Sequence, residues 1–170
     1  MVIVLIGYRG SGKTTVGRLL AGRLGVAFFD CDELIVAREG KPIRQIFRTG
    51  GEEAFRKVEM QIVSELASKR DCVIALGGGA ILREENRRAL AGSKIVYLRC
   101  QEEELLRRIK ADPASADNRP HLTSHGGEIE EIRSLLLRRE PIYRSAMFAE
   151  LDVTNLTPLQ AAERLQAMLA

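Results

Sequence analysis

A chain of 170 residues, 45% hydrophobic and 29% charged, fits one domain with a real core and an ordinary soluble surface. No apolar run approaches the roughly 18 residues that span a bilayer, and the opening run is too short and lacks the basic lead of a signal peptide, so a cytoplasmic protein is expected. The net charge of +3, with no dense Lys/Arg run and no aromatic–basic interleaving, argues against nucleic acid, while three scattered cysteines and two histidines offer neither a disulfide framework nor a zinc site.

In chain order, VIVLIG (2–7) reads as a buried strand. KTTVGRLLAGRLG (13–25) has helical spacing and a glycine stop. VAFFD (26–30) is a second strand, followed by helical stretches around 32–38, 42–48 and 51–69. CVIALG (72–77) is a third strand, a helix falls near 83–90, KIVYLR (94–99) is a fourth strand, and a helix covers about 102 to 110. Residues 111–126 carry Pro, Gly, Asn and Ser and read as an exposed loop. A long helix runs from about Glu128 to Ala146, AELDVT (149–154) is the last strand, and a last helix spans 157–169 with Thr157 as its cap and Pro158 in its first turn. Continuous apolar strands separated by helices predict an α/β fold with a parallel sheet covered on both faces. Ligands in such sheets bind beyond the carboxyl ends of the strands.

GYRGSGKT (7–14) fits G-x-x-x-x-G-K-[ST] between a strand and a helix. Its glycines allow backbone N–H groups to point inward at phosphate oxygens, and the following helix offers its positive N-terminus to the same anion. Lys13 is placed to reach the β- and γ-phosphates, and Thr14 to offer a hydroxyl to Mg²⁺. This names a nucleoside triphosphate as the donor and leaves the acceptor open, since GTPases, nucleotide kinases, small-metabolite kinases and larger ATPases all carry such a loop. A guanine-reading N/T-K-x-D segment is absent, which argues against a GTPase.

FFDCDELI (28–35) sets Asp30, Asp32 and Glu33 after the second strand with nothing basic between them. Two carboxylates there can divide the labour of phosphoryl transfer, one orienting water on a metal and the other taking a hydroxyl proton. They are equally a helix N-cap with an acidic first turn, and these residues alone leave both readings open. FRKVE (55–59) puts Arg56 and Glu59 on one helical face. GGGA (77–80) would let a ligand approach the backbone closely. NRP (118–120) places Arg119 in the exposed loop, and RREPIY (138–143) brings Arg138 and Arg139 late in the long helix.

In that order and at similar spacing these segments resemble the shikimate kinase family, which shows the phosphate loop, D-x-D, F-R-x-x-E, a G-G-G strand end, R-P in a lid and R-x-x-x-Y. The resemblance spans nearly the whole chain. It implies a three-layer α/β/α fold with a central five-stranded parallel sheet, a P-loop kinase similar to the nucleoside-monophosphate kinases, formed by residues 1–170. An acceptor-binding helical segment would cover about 32–61 and a mobile lid about 110–126. The implied reaction is phosphorylation of the 3-hydroxyl of shikimate by ATP with Mg²⁺, in aromatic amino-acid biosynthesis, by a monomer. Asp32 would be the base, with Lys13 and Arg119 on the transferring group and Thr14 and Asp30 at the metal. Gly10, Ser11, Gly12, Lys13, Thr14, Thr15, Arg108, Arg119 and Pro158 would bind ATP. Arg56 and Arg139 would grip the shikimate carboxylate, with Asp32, Gly78, Gly79, Phe47, Phe55 and Glu59 completing the pocket. The chain departs from the family in reading RPHL where many relatives have R-P-L-L, which puts His121 in the lid, and in a longer stretch from Arg108 to Arg119. A gluconate or nucleoside-monophosphate kinase of the same architecture and a catalytically silent nucleotide-binding module are the alternatives.

Overall fold

The computed structural model describes residues 1–112 and 128–169. Arg119, His121 and most of the expected lid at 110–126 therefore lie outside the described residues. Five strands, β1 (Val2–Ile6), β2 (Ala27–Asp30), β3 (Cys72–Ala75), β4 (Lys94–Arg99) and β5 (Ala149–Asp152), form one sheet in the order β2-β3-β1-β4-β5. Every pairing is parallel. Between them run α1 (Lys13–Leu24), α2 (Cys31–Glu39), α3 (Ile43–Ala67), a 3₁₀ turn (Ala80–Leu82), α4 (Glu84–Ala89), α5 (Glu102–Ala111), α6 (Glu128–Ala146) and α7 (Pro158–Leu169). Among the described residues no helix is long and apolar enough to cross a membrane.

The period-two alternation of side chains divides the core into two layers. Ile3 and Leu5 of β1 face one side, where they pack with Val73, Val96 and Leu98 against α1, α5, α7 and the first half of α6. Val4 and Ile6 face the other, with Ile74, Ile95 and Tyr97 against α2, α3 and Tyr143. A strand sandwiched this way has no solvent face, which explains why VIVLI reads as a continuous apolar run. The cysteines are small core residues, all three buried, and burial pushes the Cys72 and Cys100 thiols up.

Element ends follow local chemistry. Thr157 caps α7 reciprocally: the Gln160 amide donates to Thr157 Oγ1 at 3.2 Å and the Thr157 amide to Gln160 Oε1 at 2.9 Å. Strands β3 and β5 are shorter than the sequence reading, ending at Ala75 and Asp152. Pairing continues one residue further in each, with Leu76 N donating to Leu5 O at 3.0 Å and Val153 N to Arg99 O at 2.8 Å, before the chains diverge to build the site. The helical segments read at 42–48 and 51–69 are one α3 broken at Gly51, whose φ of 74° and ψ of −179° interrupt the helix. Without a Cβ, Gly51 adopts that conformation at no steric cost.

Candidate active site

The phosphate loop connects β1 to α1 at the carboxyl edge of the central strand. Gly7 has φ 147°, and a Cβ there would lie 2.7 Å from the Leu98 carbonyl and 2.9 Å from Ser11 Oγ, so the first turn of the loop admits only glycine. Lys13 Nζ donates to the Gly7 and Tyr8 carbonyls, both at 2.9 Å, folding over the loop it is expected to serve. Gly10, Gly12, Lys13, Thr14 and Thr15 line one cavity with Asp30, Asp32, Arg108 and Pro158. Ser11 is buried beneath the loop against Gly7 and is not a lining residue. Arg108 is fixed on three sides, donating to Val153 O at 2.9 Å, Thr154 O at 3.3 Å and Glu104 Oε1 at 2.7 Å. Hydrogen bonding from Arg107 and then Arg108 holds the Glu104 carboxyl down at about 2.

Asp30 caps α2, and its second oxygen is left to face the phosphate loop. One oxygen caps α2, accepting from the Asp32 amide at 2.9 Å and the Glu33 amide at 3.3 Å. The other accepts from Thr14 Oγ1 at 2.6 Å. Among the described residues no group of three or more His, Cys, Asp or Glu side chains could hold a metal by itself. Magnesium commonly takes one or two protein oxygens and completes its shell with substrate phosphates and water. The adjacent hard oxygens of Thr14 and Asp30, at the mouth of a phosphate loop, fit an ion of that kind carried by a nucleotide.

A second cavity adjoins the first. Tyr8, Phe47, Phe55, Arg56, Glu59, Gly77, Gly78, Gly79 and Arg139 are among the residues that line it. Arg56 comes from α3 and Arg139 from α6. Both are nearly buried, each 9% exposed. The two converge on the strand end after β3: a Cβ on Gly79 would lie 2.5 Å from Arg56 Nη2, and one on Gly78 would lie 3.5 Å from Arg139 Nη1. Arg138, the neighbour singled out with Arg139, faces solvent. Arg56 donates to the wholly buried Glu59 at 2.6 Å and to Glu52 at 3.2 and 3.3 Å. Burial pushes the Glu59 carboxyl up against the opposing pull of Arg56. Arg139 lies over the Tyr8 ring, 5.8 Å from its centroid. Phe47 and Phe55 stack with centroids 4.7 Å apart, and the Arg56 guanidinium sits 5.2 Å from the Phe55 centroid. The fully buried Tyr143 hydroxyl donates to the Gly78 carbonyl at 2.5 Å, fixing the glycine turn from below.

Asp32, expected to meet the acceptor hydroxyl, lines the phosphate-loop cavity. The two cavities share Arg9, Ile43 and Ile109 as a common wall. Sequence reading missed Tyr8, Arg9 and Tyr143. The first two occupy the x positions of G-x-x-x-x-G-K-[ST], which the motif leaves free; the third is the tyrosine of R-x-x-x-Y, visible in the pattern but without a role until its hydroxyl is placed.

A nucleotide loop that opens through a shared wall onto a cavity with two guanidinium groups is the equipment of a P-loop phosphotransferase for a small anionic acceptor. The family model for shikimate kinase matches residues 9–170. The shikimate kinase of Thermobifida fusca is 44% identical over 94% of this chain and 90% of its own length, and that of Moorella thermoacetica 48% identical over 85% and 80%. The solved structure of the Acinetobacter baumannii shikimate kinase in complex with shikimate superposes with a TM-score of 0.91 at 35% identity, over 99% of this chain and 92% of that one. The chain belongs to the shikimate kinase family.

Proposed function

We propose that this chain transfers the γ-phosphoryl group of ATP to the 3-hydroxyl of shikimate, giving shikimate 3-phosphate and ADP for aromatic amino-acid biosynthesis. The observation that carries this reading is the convergence of Arg56 and Arg139 on Gly78–Gly79 in a cavity that abuts the phosphate loop. Two guanidinium groups from different helices select a carboxylate over a neutral polyol, because a neutral ligand would leave both without a counter-charge. Gly78 and Gly79, with no side chains, let the ring of the acceptor lie close to the backbone.

In the reaction the 3-hydroxyl oxygen attacks the γ-phosphorus, the bond to the β–γ bridging oxygen breaks, and the hydroxyl proton passes to Asp32. Asp32 lines the phosphate-loop cavity that adjoins the acceptor cavity, which supports its assignment as the base at the reacting oxygen. Lys13 turns from the Gly7 and Tyr8 carbonyls to the phosphates, and Arg119 joins it on the transferring group. A bound Mg²⁺, held through Thr14 and, by way of water, Asp30, would neutralise charge on the β- and γ-oxygens. Arg108 and Pro158 flank the adenine of the nucleotide. Phe47 and Phe55 close the acceptor pocket, and Glu59 holds Arg56 in orientation. We assign residues 32–61 to acceptor binding and 110–126 to a lid that excludes water, itself a competent acceptor. We further assign the whole chain to one kinase domain acting as a monomer in the cytoplasm, where its ATP is made available.

The test is ADP release by the purified protein with MgATP, with and without shikimate, beside gluconate and nucleoside monophosphates. ADP release that depends on shikimate alone supports the reading. Turnover driven by gluconate or a nucleotide instead, or nucleotide binding without turnover on any acceptor, refutes it.

A further inference from the structure

Three consecutive residues of the phosphate loop walk from one cavity to the other. Tyr8 lines the acceptor cavity, Gly10 lines the nucleotide cavity, and Arg9 between them lines both. The other residues common to the two cavities, Ile43 and Ile109, are aliphatic, so Arg9 is the charged residue in the shared wall. Its backbone passes close to the glycine turn: a Cβ on Gly78 would lie 3.8 Å from the Arg9 amide nitrogen. The flanking carbonyl of Tyr8 is tied by Lys13 at 2.9 Å. Arg56 and Arg108 are committed to carboxylates, the first to Glu52 and Glu59, the second to Glu104. Arg9 has no such tie: among the described residues it makes no ion pair within 4.0 Å and no side-chain hydrogen bond. The residue is half-buried and lines both cavities, with no carboxylate partner among the described residues to compete with a ligand.

The shared wall has a chemical meaning once phosphoryl transfer is accepted, and the inference rests on that reading. The γ-phosphoryl group begins on the nucleotide side and ends on the acceptor side. Midway it is a loosely bonded, metaphosphate-like unit whose charge is spread over three equatorial oxygens. A cation bordering both cavities meets those oxygens during the crossing, whereas one bordering a single cavity favours either the start or the end. We propose that Arg9 is a catalytic residue of this chain, donating hydrogen bonds to the equatorial oxygens of the phosphoryl group as it passes between ATP and the acceptor hydroxyl. The guanidinium suits the task, since its fixed fork of donors matches two phosphoryl oxygens at once and its charge persists at any working pH. An interaction made most strongly in the transition state raises kcat and leaves ground-state affinities little changed. This separates Arg9 from Arg56 and Arg139, whose work is to bind the carboxylate.

Arg9→Met and Arg9→Lys test it. Loss of a preorganised donor at a transition-state oxygen costs about a hundredfold to a thousandfold in kcat when the donor is fully buried; for a half-buried arginine the expected fall in Arg9→Met is about tenfold to a hundredfold. The KM values for ATP and for shikimate should stay within about threefold of the parent, as for a residue that acts only at the transition state. Arg9→Lys keeps the charge without the fork and should recover part of the rate. The readout specific to the transition state is inhibition by ADP with magnesium, shikimate and aluminium fluoride, a planar mimic of the moving group. Its potency should fall in Arg9→Met in parallel with kcat, while ADP affinity measured by calorimetry is unchanged. A kcat within about twofold of the parent, a loss confined to the KM for shikimate, or undiminished aluminium fluoride inhibition would each overturn the proposal. If the parent protein itself shows no shikimate-dependent ADP release, the failure belongs to the function; if the parent is active and Arg9→Met matches it, the failure belongs to Arg9 alone.

Discussion

Adding one methyl group at Gly79 should damage acceptor binding by displacing Arg56 as well as by crowding the acceptor ring. Gly79 has φ −102° and ψ −7°, a conformation open to alanine, so Gly79→Ala introduces no backbone strain. The new Cβ would instead lie 2.5 Å from Arg56 Nη2, 3.0 Å from Nη1 and 3.1 Å from Cζ. Ordinary van der Waals contact needs about 3.5 Å or more, so the guanidinium must retreat by about 1 Å. An arginine tip on the surface would move freely. This one is bonded at 2.6 Å to a carboxylate that no solvent reaches, and it cannot retreat without lengthening that bond. A charge-assisted hydrogen bond contributes about 1.5–3 kcal/mol, and weakening one by displacement should forfeit about 1–2 kcal/mol. We therefore expect the KM for shikimate to rise about fivefold to thirtyfold, the KM for ATP to hold within about twofold, and the midpoint of thermal unfolding to fall by about 3–6 °C. Coupled ADP-release kinetics at saturating ATP with varied shikimate, alongside a melting curve, measure all three. A shikimate KM within about twofold of the parent would show that Arg56 does not depend on its contact with the glycine turn, and the reasoning would fall.

The other predictions concern the supports of the two cavities. Asp32→Ala should lose most turnover while the melting midpoint is retained, and near-parental kcat would remove Asp32 from the role of base. Tyr143→Phe deletes the hydroxyl that donates to the Gly78 carbonyl in the core, so a stability loss of about 1 kcal/mol by urea denaturation and a modest rise in shikimate KM are expected; unchanged stability would count against the brace. Glu104 has its pKa depressed from 4.5 to about 2 in the folded state, so its stabilising contribution is present above about pH 4.5 and drains away as pH falls toward 2. Glu104→Gln should flatten that limb of an acid-unfolding profile and raise the KM for ATP by releasing Arg108; a profile that coincides with the parent's refutes the linkage. Arg56→Ala strands Glu59 in the core and should cost about 3–5 kcal/mol, whereas Arg56→Ala combined with Glu59→Gln should regain most of the stability and none of the shikimate affinity.

The sheet was legible because the physics of a two-sided strand is local. VIVLI, CVIA and KIVYLR are apolar on both faces, and nothing in a half-exposed strand or an amphipathic helix produces that run. Thr157 and Pro158 were legible for the same reason, since a cap depends on the three residues that follow it. The boundaries of β3 and β5 were not, because where pairing ends is decided by the neighbouring strand and not by the apolar run itself. The aspartates show a subtler limit. Choosing between a helix cap and a metal-side carboxylate for Asp30 assumed one role per side chain, but a carboxylate has two oxygens, and this one caps α2 with the first while meeting Thr14 with the second. Which cavity Asp32 lines depends on the direction in which α2 leaves β2, and no local pattern encodes that.

The two cavity arginines are anchored differently, and the difference assigns them different work. Arg56 arrives with two carboxylates, so an incoming acceptor anion meets a guanidinium already half neutralised and fixed in orientation. Arg139 rests on the face of Tyr8, where the attraction of a ring for a cation is worth only about 0.5–2 kcal/mol, and it keeps most of its charge for the ligand. Tyr8 belongs to the phosphate loop, and its carbonyl is one of the two to which Lys13 donates. On the proposed function, Arg56 would supply direction and Arg139 most of the electrostatic attraction.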